Sequence, residues 1–212
     1  MAPMKSVLIT VPNQGWVHRS VVESVQGVIL TDQSCNKTVL YPALAPPYYN
    51  CLNQLAKAFR EGQWDYWLNI DDDNAPTRNP LELMALDKDL IALPTPMWSK
   101  AEIPPLQWNV YMKIGESFKP VTGSPSGLHG VDLVGSGCFL AARRMFQSPG
   151  LVNPFFPCYT NEGIRTTGPD TAFCMRATNA GFSLWAHFDY RCKHMKEIDL
   201  LDLMEKPKAV SA

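Results

Sequence analysis

The sequence predicts an α/β fold in which helices flank a mixed, mostly parallel central sheet. Apolar, β-branched runs alternate with segments of helical periodicity in the order strand, helix, strand, helix, strand. The chain has 212 residues, of which 46% are hydrophobic, so it can bury one core of ordinary size. We therefore expect a single domain over residues 1–196, followed by a C-terminal tail at residues 197–212.

The first predicted elements have recognisable starts and ends. Residues 5–11 form an apolar run that ends at Pro12, which predicts a buried strand followed by a turn. Asn79 and Pro80 suit the cap and the first position of a short helix. A longer helix that stops near Gly62 is predicted by four apolar residues at the spacing of one helical face. These residues are Leu52, Leu55, Ala56 and Phe59.

The remaining elements follow from the same two periodicities. In the first half we expect a helix at residues 17–25 and strands at residues 28–31, 64–70 and 89–93. In the second half we expect strands at residues 107–113 and 132–142, a helix at residues 170–180 and a last strand at residues 183–188.

Composition excludes several classes of protein. Nineteen basic and twenty acidic side chains give a net charge of −1, which argues against nucleic-acid binding by bulk charge alone. No apolar run approaches the roughly 18 to 20 residues of a membrane-spanning helix, so we expect no integral membrane segment. The six cysteines are scattered and form no CxxC pair. This usage predicts reduced thiols and a cytoplasmic protein.

Three consecutive carboxylates, Asp71, Asp72 and Asp73, follow the predicted strand at residues 64–70. Like charges held this close repel one another, and a divalent cation removes that cost. Cations such as Mn²⁺ and Mg²⁺ bind oxygen ligands, and α/β sheets bind their ligands beyond the carboxyl ends of the strands. The triplet therefore indicates a metal site, with a solvated acidic turn as the alternative.

Two histidine interpretations are open near the C-terminus. His194 follows the last predicted strand and is a candidate ligand for the same cation, since a neutral imidazole binds Mn²⁺ and similar ions. An ordinary hydrogen-bonded histidine is the alternative. A zinc site made of His187, Cys192 and His194 has suitable ligand types, but it lacks a fourth member and the spacing of a zinc finger.

Other candidate residues border a site of this kind. Asp170 begins a predicted helix, where it either caps backbone amides or acts as a general base. Gly137, in the run Gly-Ser-Gly, permits a close approach of the backbone to a ligand, although neither GxGxxG nor GxxxxGK[ST] occurs in the chain. Trp98 and Trp108 flank a proline-rich loop, and their indole rings either stack on sugars and bases or pack against the protein.

Taken in order, these motifs resemble those of GT-A-type glycosyltransferases, in particular the large family 2 group and its short stand-alone members encoded by phages. The likeness covers about residues 5–196. Its elements are a first strand ending at Pro12, Asn53 ahead of a helix, WLNIDDD, VGSGCFLAARRMF, PFF, GPDTAFCMRATNAGF and YRCKH. Leu52 and Pro169 differ from the family pattern, which commonly has Arg and Glu at these positions.

The resemblance implies a donor that is a nucleoside diphosphate sugar. Its base, ribose and sugar are expected near Pro12, Asn13, Asn53, Asp71, Asp72 and Gly137.

The resemblance also implies the chemistry of transfer. Asp73 and His194 are expected to hold Mn²⁺ or Mg²⁺ beneath the diphosphate. Asp170 is expected to be the catalytic base of an inverting reaction, and Trp98 and Trp108 are the candidates for the acceptor side.

The acceptor stays open between a modified base in DNA and a glycan. Residues 107–196 include nine Lys or Arg and five Asp or Glu, an excess that suits either DNA or a diphosphate donor. A nucleotidyltransferase is the enzymatic alternative, although its glycine-rich phosphate loop after the first strand is missing. A non-catalytic module that binds calcium at residues 71–73 and a glycan on Trp98 is an alternative of another class. For a phage-encoded member, the expected compartment is the host cytoplasm.

Overall fold

A computed structural model describes residues 4–43, 47–98 and 106–196. The strands are β1 (Ser6–Thr10), β2 (Asn36–Leu40), β3 (Tyr66–Ile70), β4 (Asn74–Pro76), β5 (Leu90–Ala92), β6 (Pro96–Trp98), β7 (Leu106–Trp108), β8 (Val110–Ile114), β9 (Ser117–Pro120), β10 (Leu128–Val131), β11 (Leu133–Val134), β12 (Cys138–Ala142), β13 (Leu184–His187) and β14 (Cys192–His194). The α-helices are α1 (Arg19–Ser24), α2 (Tyr48–Glu61), α3 (Arg143–Phe146) and α4 (Pro169–Asn179). A π-helical segment spans Val25–Ile29, and 3₁₀ segments span Pro80–Leu86 and Pro149–Leu151. The expected tail at residues 197–212 lies outside the described residues.

Seven strands form the central sheet in the order β2-β1-β3-β12-β5-β13-β10. Strands β2, β1, β3, β5 and β13 share one direction, whereas β12 and β10 run the opposite way. Three of the six neighbouring pairs are therefore antiparallel. The expected α/β architecture with a mixed sheet is present. The expectation that the sheet is mostly parallel is wrong, because only half of its neighbouring strand pairs are parallel.

The direction of β12 follows from the path of the chain before it. Between β5 and β12 the described residues form the hairpins β6–β7 and β8–β9, then β10, which runs antiparallel to β13, and β11, which pairs with β8. This path brings the chain back to the end of β3, where Cys138 lies opposite Ile70, so β12 runs antiparallel to both β3 and β5.

Alternating residues of the sheet bury two apolar faces. On one face, Leu8, Trp67 and Phe139 belong to a core formed with α2, α3 and α4. On the other face, Val7 and Ile9 pack with α1, the π-helical segment and the 3₁₀ segment after Asn79. Helices therefore cover both faces, as expected from the buried runs of β1 and β3.

One predicted strand is wrong. Residues 28–31 were expected to be extended because they are apolar and β-branched, but α1 continues there into the π-helical segment. Val21, Val25 and Ile29 are fully buried at intervals of four residues, which is a helical spacing. The second strand is β2, a partly exposed edge strand whose weak apolar pattern did not indicate it.

Most other elements are close to their predicted positions. Helix α2 has the expected apolar face and ends at Gly62, and Asn79 caps the 3₁₀ segment by accepting a hydrogen bond from the Leu81 amide at 3.1 Å. All six cysteines are free thiols. Among the described helices, none combines the length and apolar character that crossing a membrane requires.

Candidate active site

A cleft of about 700 Å³ lies beyond the carboxyl ends of β1 and β3. One half is lined by polar and charged residues, namely Gln14, Asp71, Asp72, Asp73, His194 and Lys196. The other half is formed by Tyr111, Phe118, Leu133 and Val134, which belong to the sheet of β8, β9 and β11. Met97 of β6 also lines the cleft. Asp170 and the segment Gly135, Ser136 and Gly137 also line the cleft, which therefore combines an acidic and an apolar wall.

The segment at residues 135–137 joins the two halves. The Gly135 amide donates to the Asn109 carbonyl at 2.8 Å, and the Gly137 carbonyl accepts from the Asp71 amide at 2.8 Å. A Cβ added at Gly135 would lie 2.6 Å from Asn109 Nδ2, and one at Gly137 would lie 3.0 Å from Asn74 Nδ2. Both positions therefore favour glycine because neighbouring amide side chains approach the backbone closely.

A buried hydrogen-bond chain holds Asp71 in place. Trp67 Nε1 donates to Thr10 Oγ1 at 2.8 Å, and Thr10 Oγ1 donates to Asn69 Oδ1 at 2.9 Å. Asn69 Nδ2 in turn donates to Asp71 Oδ1 at 3.2 Å. The Tyr48 hydroxyl donates to the same carboxylate oxygen. These donors fix the direction of Asp71 from both the sheet and α2.

The pairing of β4 with β14 brings His194 to the acidic triplet. Strand β4 begins directly after Asp73, and in its register with β14 His194 lies opposite Asn74. His194 Nε2 is 3.5 Å from Asp73 Oδ2. The Met195 amide donates to the Asp73 carbonyl at 2.9 Å and fixes the two segments together. The structure thus brings together the two residues expected to bind a cation.

The donor set at this point fits a divalent cation. His194 Nδ1 is 2.7 Å from the Pro96 carbonyl, which only accepts, so Nδ1 carries a proton. With a second proton on Nε2 the ring donates to Asp73, and where a cation takes the place of that proton Nε2 supplies a lone pair. That lone pair and Asp73 Oδ2 are a nitrogen and an oxygen ligand facing each other. Two protein ligands leave the other positions of a hydrated cation to substrate oxygens and water.

The zinc site considered as an alternative is not assembled. Among residues 4–43, 47–98 and 106–196, no three His, Cys, Asp or Glu side chains are grouped closely enough to hold a metal ion. His187 instead packs against the Tyr190 ring at 4.7 Å between centroids, and Cys192 is buried in the core. His187, Cys192 and His194 therefore do not form one site.

Burial and like charge shift the pKa values of the carboxylates. Burial raises the pKa of Asp71 well above its usual range, and the nearby Asp170 and Asp73 raise it further. Burial followed by the charge of Asp73 raises the pKa of Asp72. Burial alone would also raise the pKa of Asp73, but hydrogen bonds from His194 and Lys196 bring it below its usual value. Asp73 is therefore the carboxylate best stabilised in its charged form.

Asp170 points into the cleft from the first turn of α4. Gly168 is the N-cap of this helix, so Asp170 does not hold the capping position that was its alternative role. Burial raises the pKa of Asp170, although hydrogen bonds from the hydroxyl and backbone of Ser136 oppose the shift. The carboxyl group is thus oriented by Ser136 and is a stronger base than an exposed aspartate.

Seven of the candidate site residues line the cleft, namely Pro12, Asp71, Asp72, Asp73, Gly137, Asp170 and His194. Four other candidates lie elsewhere. Asn53 is buried and accepts a hydrogen bond from the Phe155 amide at 3.0 Å. Asn13 Nδ2 donates to the Val11 carbonyl at 3.2 Å. Both asparagines hold the backbone of their own surroundings.

The two tryptophans proposed for the acceptor side do not line the cleft. Along β6 the side chains alternate, and Met97 rather than Trp98 reaches the cleft. Trp108 Nε1 donates to the Gly123 carbonyl at 3.0 Å, and its ring packs edge-on against Phe188.

Sequence reasoning missed several residues of the cleft. Tyr48 and Asn69 carry the hydrogen bonds to Asp71, and Lys196 contacts Asp73. A signal existed for Asn69, because it is the one polar residue in the buried run YWLNI. Tyr111 and Phe118 gave no such signal, since their positions depend on the β8–β9 hairpin.

The sequence matches no family model and no curated protein. The fold is similar to that of A197 from STIV, whose crystal structure aligns with a TM-score of 0.61 over 92% of this chain and 87% of that chain. The two sequences are 14% identical. At this identity the similarity concerns the fold alone.

Replacing Asn53 tests whether it is a structural residue. Asn53→Ala leaves the buried Phe155 amide without its acceptor, so we expect the free energy of unfolding to fall by about 1–3 kcal/mol. Urea denaturation measures this loss. Asn50→Ala, an exposed position on the same helix, is the control and should change stability little. Weakened nucleotide-sugar binding with unchanged stability would instead support the donor role implied by the resemblance.

Neutralising Asp71 should stabilise the protein at neutral pH. A carboxyl group whose pKa is raised on folding binds its proton more tightly in the folded state, so stability is lost as pH rises from about 3.8 through the raised pKa. Asp71→Asn removes this loss and still accepts from Tyr48 and Asn69. Each kcal/mol relieved raises Tm by about 2–4 °C in a chain of this size.

Calorimetry at pH 7.5 and near pH 4 checks the sign. The variant should melt above wild type at pH 7.5, and the difference should shrink at the lower pH. An equal or lower Tm at pH 7.5 would contradict a raised pKa of Asp71 in the folded protein.

Proposed function

We propose that this protein is a metal-dependent glycosyltransferase with a GT-A-type fold, which transfers a sugar from a nucleoside diphosphate sugar to a hydroxyl group. One observation carries the proposal: Asp73 and His194, far apart in the sequence, face each other at 3.5 Å in the cleft that Asp170 also lines. The proposed cation ligands and the proposed base therefore have access to one substrate.

The donor is proposed to bind in the acidic half of the cleft. Asp73 Oδ2 and His194 Nε2 would hold Mn²⁺ or Mg²⁺ together with diphosphate oxygens. When bound there, the cation supplies positive charge against the diphosphate that leaves. Asp71 and Asp72 offer carboxylate acceptors to hydroxyl groups of the nucleoside, next to Pro12.

Asp170 is proposed as the general base. It takes the proton of the acceptor hydroxyl while the hydroxyl oxygen bonds to the anomeric carbon and the bond from that carbon to the diphosphate breaks. Ser136 orients the carboxyl group through its hydroxyl and backbone. Because burial raises its pKa, this carboxylate accepts a proton more readily than an ordinary aspartate does. Attack from the face opposite the diphosphate would invert the anomeric carbon.

The acceptor is proposed to bind in the apolar half of the cleft. Tyr111 and Phe118 line it from the β8–β9 hairpin, together with Leu133 and Val134 of β11. The described residues that line this half include no Lys or Arg; Lys113, which lies opposite Phe118 in the β8–β9 register, is not part of the lining. Aromatic rings next to apolar side chains suit the C–H face of a sugar. These features favour a neutral glycan over a modified base in DNA.

Replacing Asp170 should separate chemistry from donor binding. We expect Asp170→Asn to lower kcat by about 10²–10⁴-fold, since it removes the base and keeps the shape. Donor affinity should be retained. A panel of nucleoside diphosphate sugars, scored by nucleotide release and by calorimetric binding, gives both quantities.

Glu162→Gln, an exposed carboxylate, is the matched control for this experiment. Wild-type turnover should fall at acid pH with an apparent pKa above the usual 3.8 of aspartate, because protonated Asp170 cannot act as a base. Full turnover in Asp170→Asn, or collapse of donor binding, would refute its role as the base.

Replacing Phe118 tests the acceptor half. Phe118→Ala should raise the KM for a neutral oligosaccharide acceptor about threefold to tenfold, which corresponds to the usual energy of an aromatic contact. Hydrolysis of the donor without acceptor should be unchanged. Ile114→Ala, on the opposite face of the same hairpin, is the control. Salt-sensitive binding of DNA that persists in Phe118→Ala would point to the other acceptor class.

A further inference from the structure

Lys196 occupies the oxygen that a cation would need. Its ammonium contacts Asp73 Oδ2, the atom that faces His194 Nε2. The other carboxylate oxygen, Oδ1, accepts a hydrogen bond from Asn74 Nδ2 at 2.7 Å. A divalent cation bound to Oδ2 and His194 would therefore meet the ammonium of Lys196 at the same atom.

The contact is built so that the ammonium can leave. The Lys196 side chain is 55% exposed, whereas that of Asp73 is only 14% exposed. The Met195 amide holds the backbone next to it on the Asp73 carbonyl, so movement is confined to the long lysine side chain. Ion pairs with an exposed partner are weak, so a divalent cation can compete for the carboxylate.

Once displaced from Asp73, the Lys196 ammonium would have the diphosphate of the donor as a new partner in the same cleft. Lys196 is the single Lys or Arg among the described residues that line it. A diphosphate placed against Asp73 would otherwise face three neighbouring carboxylates and one imidazole. Lysine is a flexible point charge suited to phosphate oxygens.

We propose that Lys196 is a displaceable counter-ion of Asp73, which the divalent cation replaces and which then pairs with the diphosphate of the donor. This inference rests on the proposed function. Displacement of Lys196 makes the cation and the nucleoside diphosphate bind cooperatively. The cation moves the ammonium away from Asp73, and the diphosphate holds the ammonium in that displaced position. Without nucleotide, Lys196 opposes binding of the cation. With nucleotide, it supports the ternary complex.

The test measures Mn²⁺ binding to the full chain by titration calorimetry, first without nucleotide. Lys196→Met removes the charge and keeps most of the length, so it should bind Mn²⁺ about fivefold more tightly than wild type. Lys196→Arg should restore the weaker binding. Lys193→Met, an exposed lysine on β14, is the control and should match wild type.

The second measurement adds UDP or GDP. In wild type the nucleotide should strengthen Mn²⁺ binding more than it does in Lys196→Met. Equal Mn²⁺ affinity in wild type and Lys196→Met, or undetectable binding in both, would overturn the proposal. Asp73→Ala separates the two levels of inference. If it binds Mn²⁺ like wild type, the proposed metal site itself fails. If it loses binding while Lys196→Met equals wild type, only the role of Lys196 fails.

Discussion

The short antiparallel pairing of β4 with β14 is the interaction on which the cleft depends. It joins the segment directly after the acidic triplet to the last described strand, with His194 opposite Asn74. Backbone hydrogen bonds from Thr77 to the Arg191 carbonyl and from Met195 to the Asp73 carbonyl extend the contact at both ends. Without this pairing, Asp73 would lose its contacts with His194 and Lys196, while Asp71 would keep its donors Tyr48 and Asn69.

The cost of the acidic wall is offset by polar groups buried beneath it. Asn69 is fully buried in the middle of the sheet. Its side chain forms hydrogen bonds with Thr10, Asp71 and the Ser136 carbonyl. A leucine there would leave Asp71 with one donor fewer. A buried polar residue with this set of partners is explained by the site above it rather than by the stability of the sheet.

Features that depend on neighbouring residues in the chain were predictable. The buried run before the triplet, the apolar face of α2 and the Asn79 cap are all local, and all are present. Features that depend on distant contacts were not. The direction of β12 depends on the path of the preceding hairpins, and the residues 28–31 form a helical turn because Val25 and Ile29 are buried under the sheet.

The same distinction explains the outcome at the site. Asn53 and Tyr48 belong to one helix, and the resemblance indicated the first, but only the second reaches Asp71. His194 was a candidate because it follows the last predicted strand and because of the resemblance, but its position next to Asp73 depends on the pairing of β4 with β14. Lone residues become interpretable only when the fold supplies their partners.

The cleft is divided between two parts of the chain, and this division has a chemical consequence. The first part supplies Asp71, Asp72 and Asp73 at the end of β3, while the apolar wall comes from the hairpin and strand that precede β12. Asp170 hydrogen-bonds to Ser136, and Ser136 lies between the Asn109 and Asp71 backbone contacts that join the two walls. The Asp170 carboxyl group, the proposed base, is thus held by the segment that joins the two walls. A change in the separation of the walls would alter the position of this group relative to both proposed substrates at once, so the proposed transfer depends on the geometry of residues 135–137 as well as on the carboxylates.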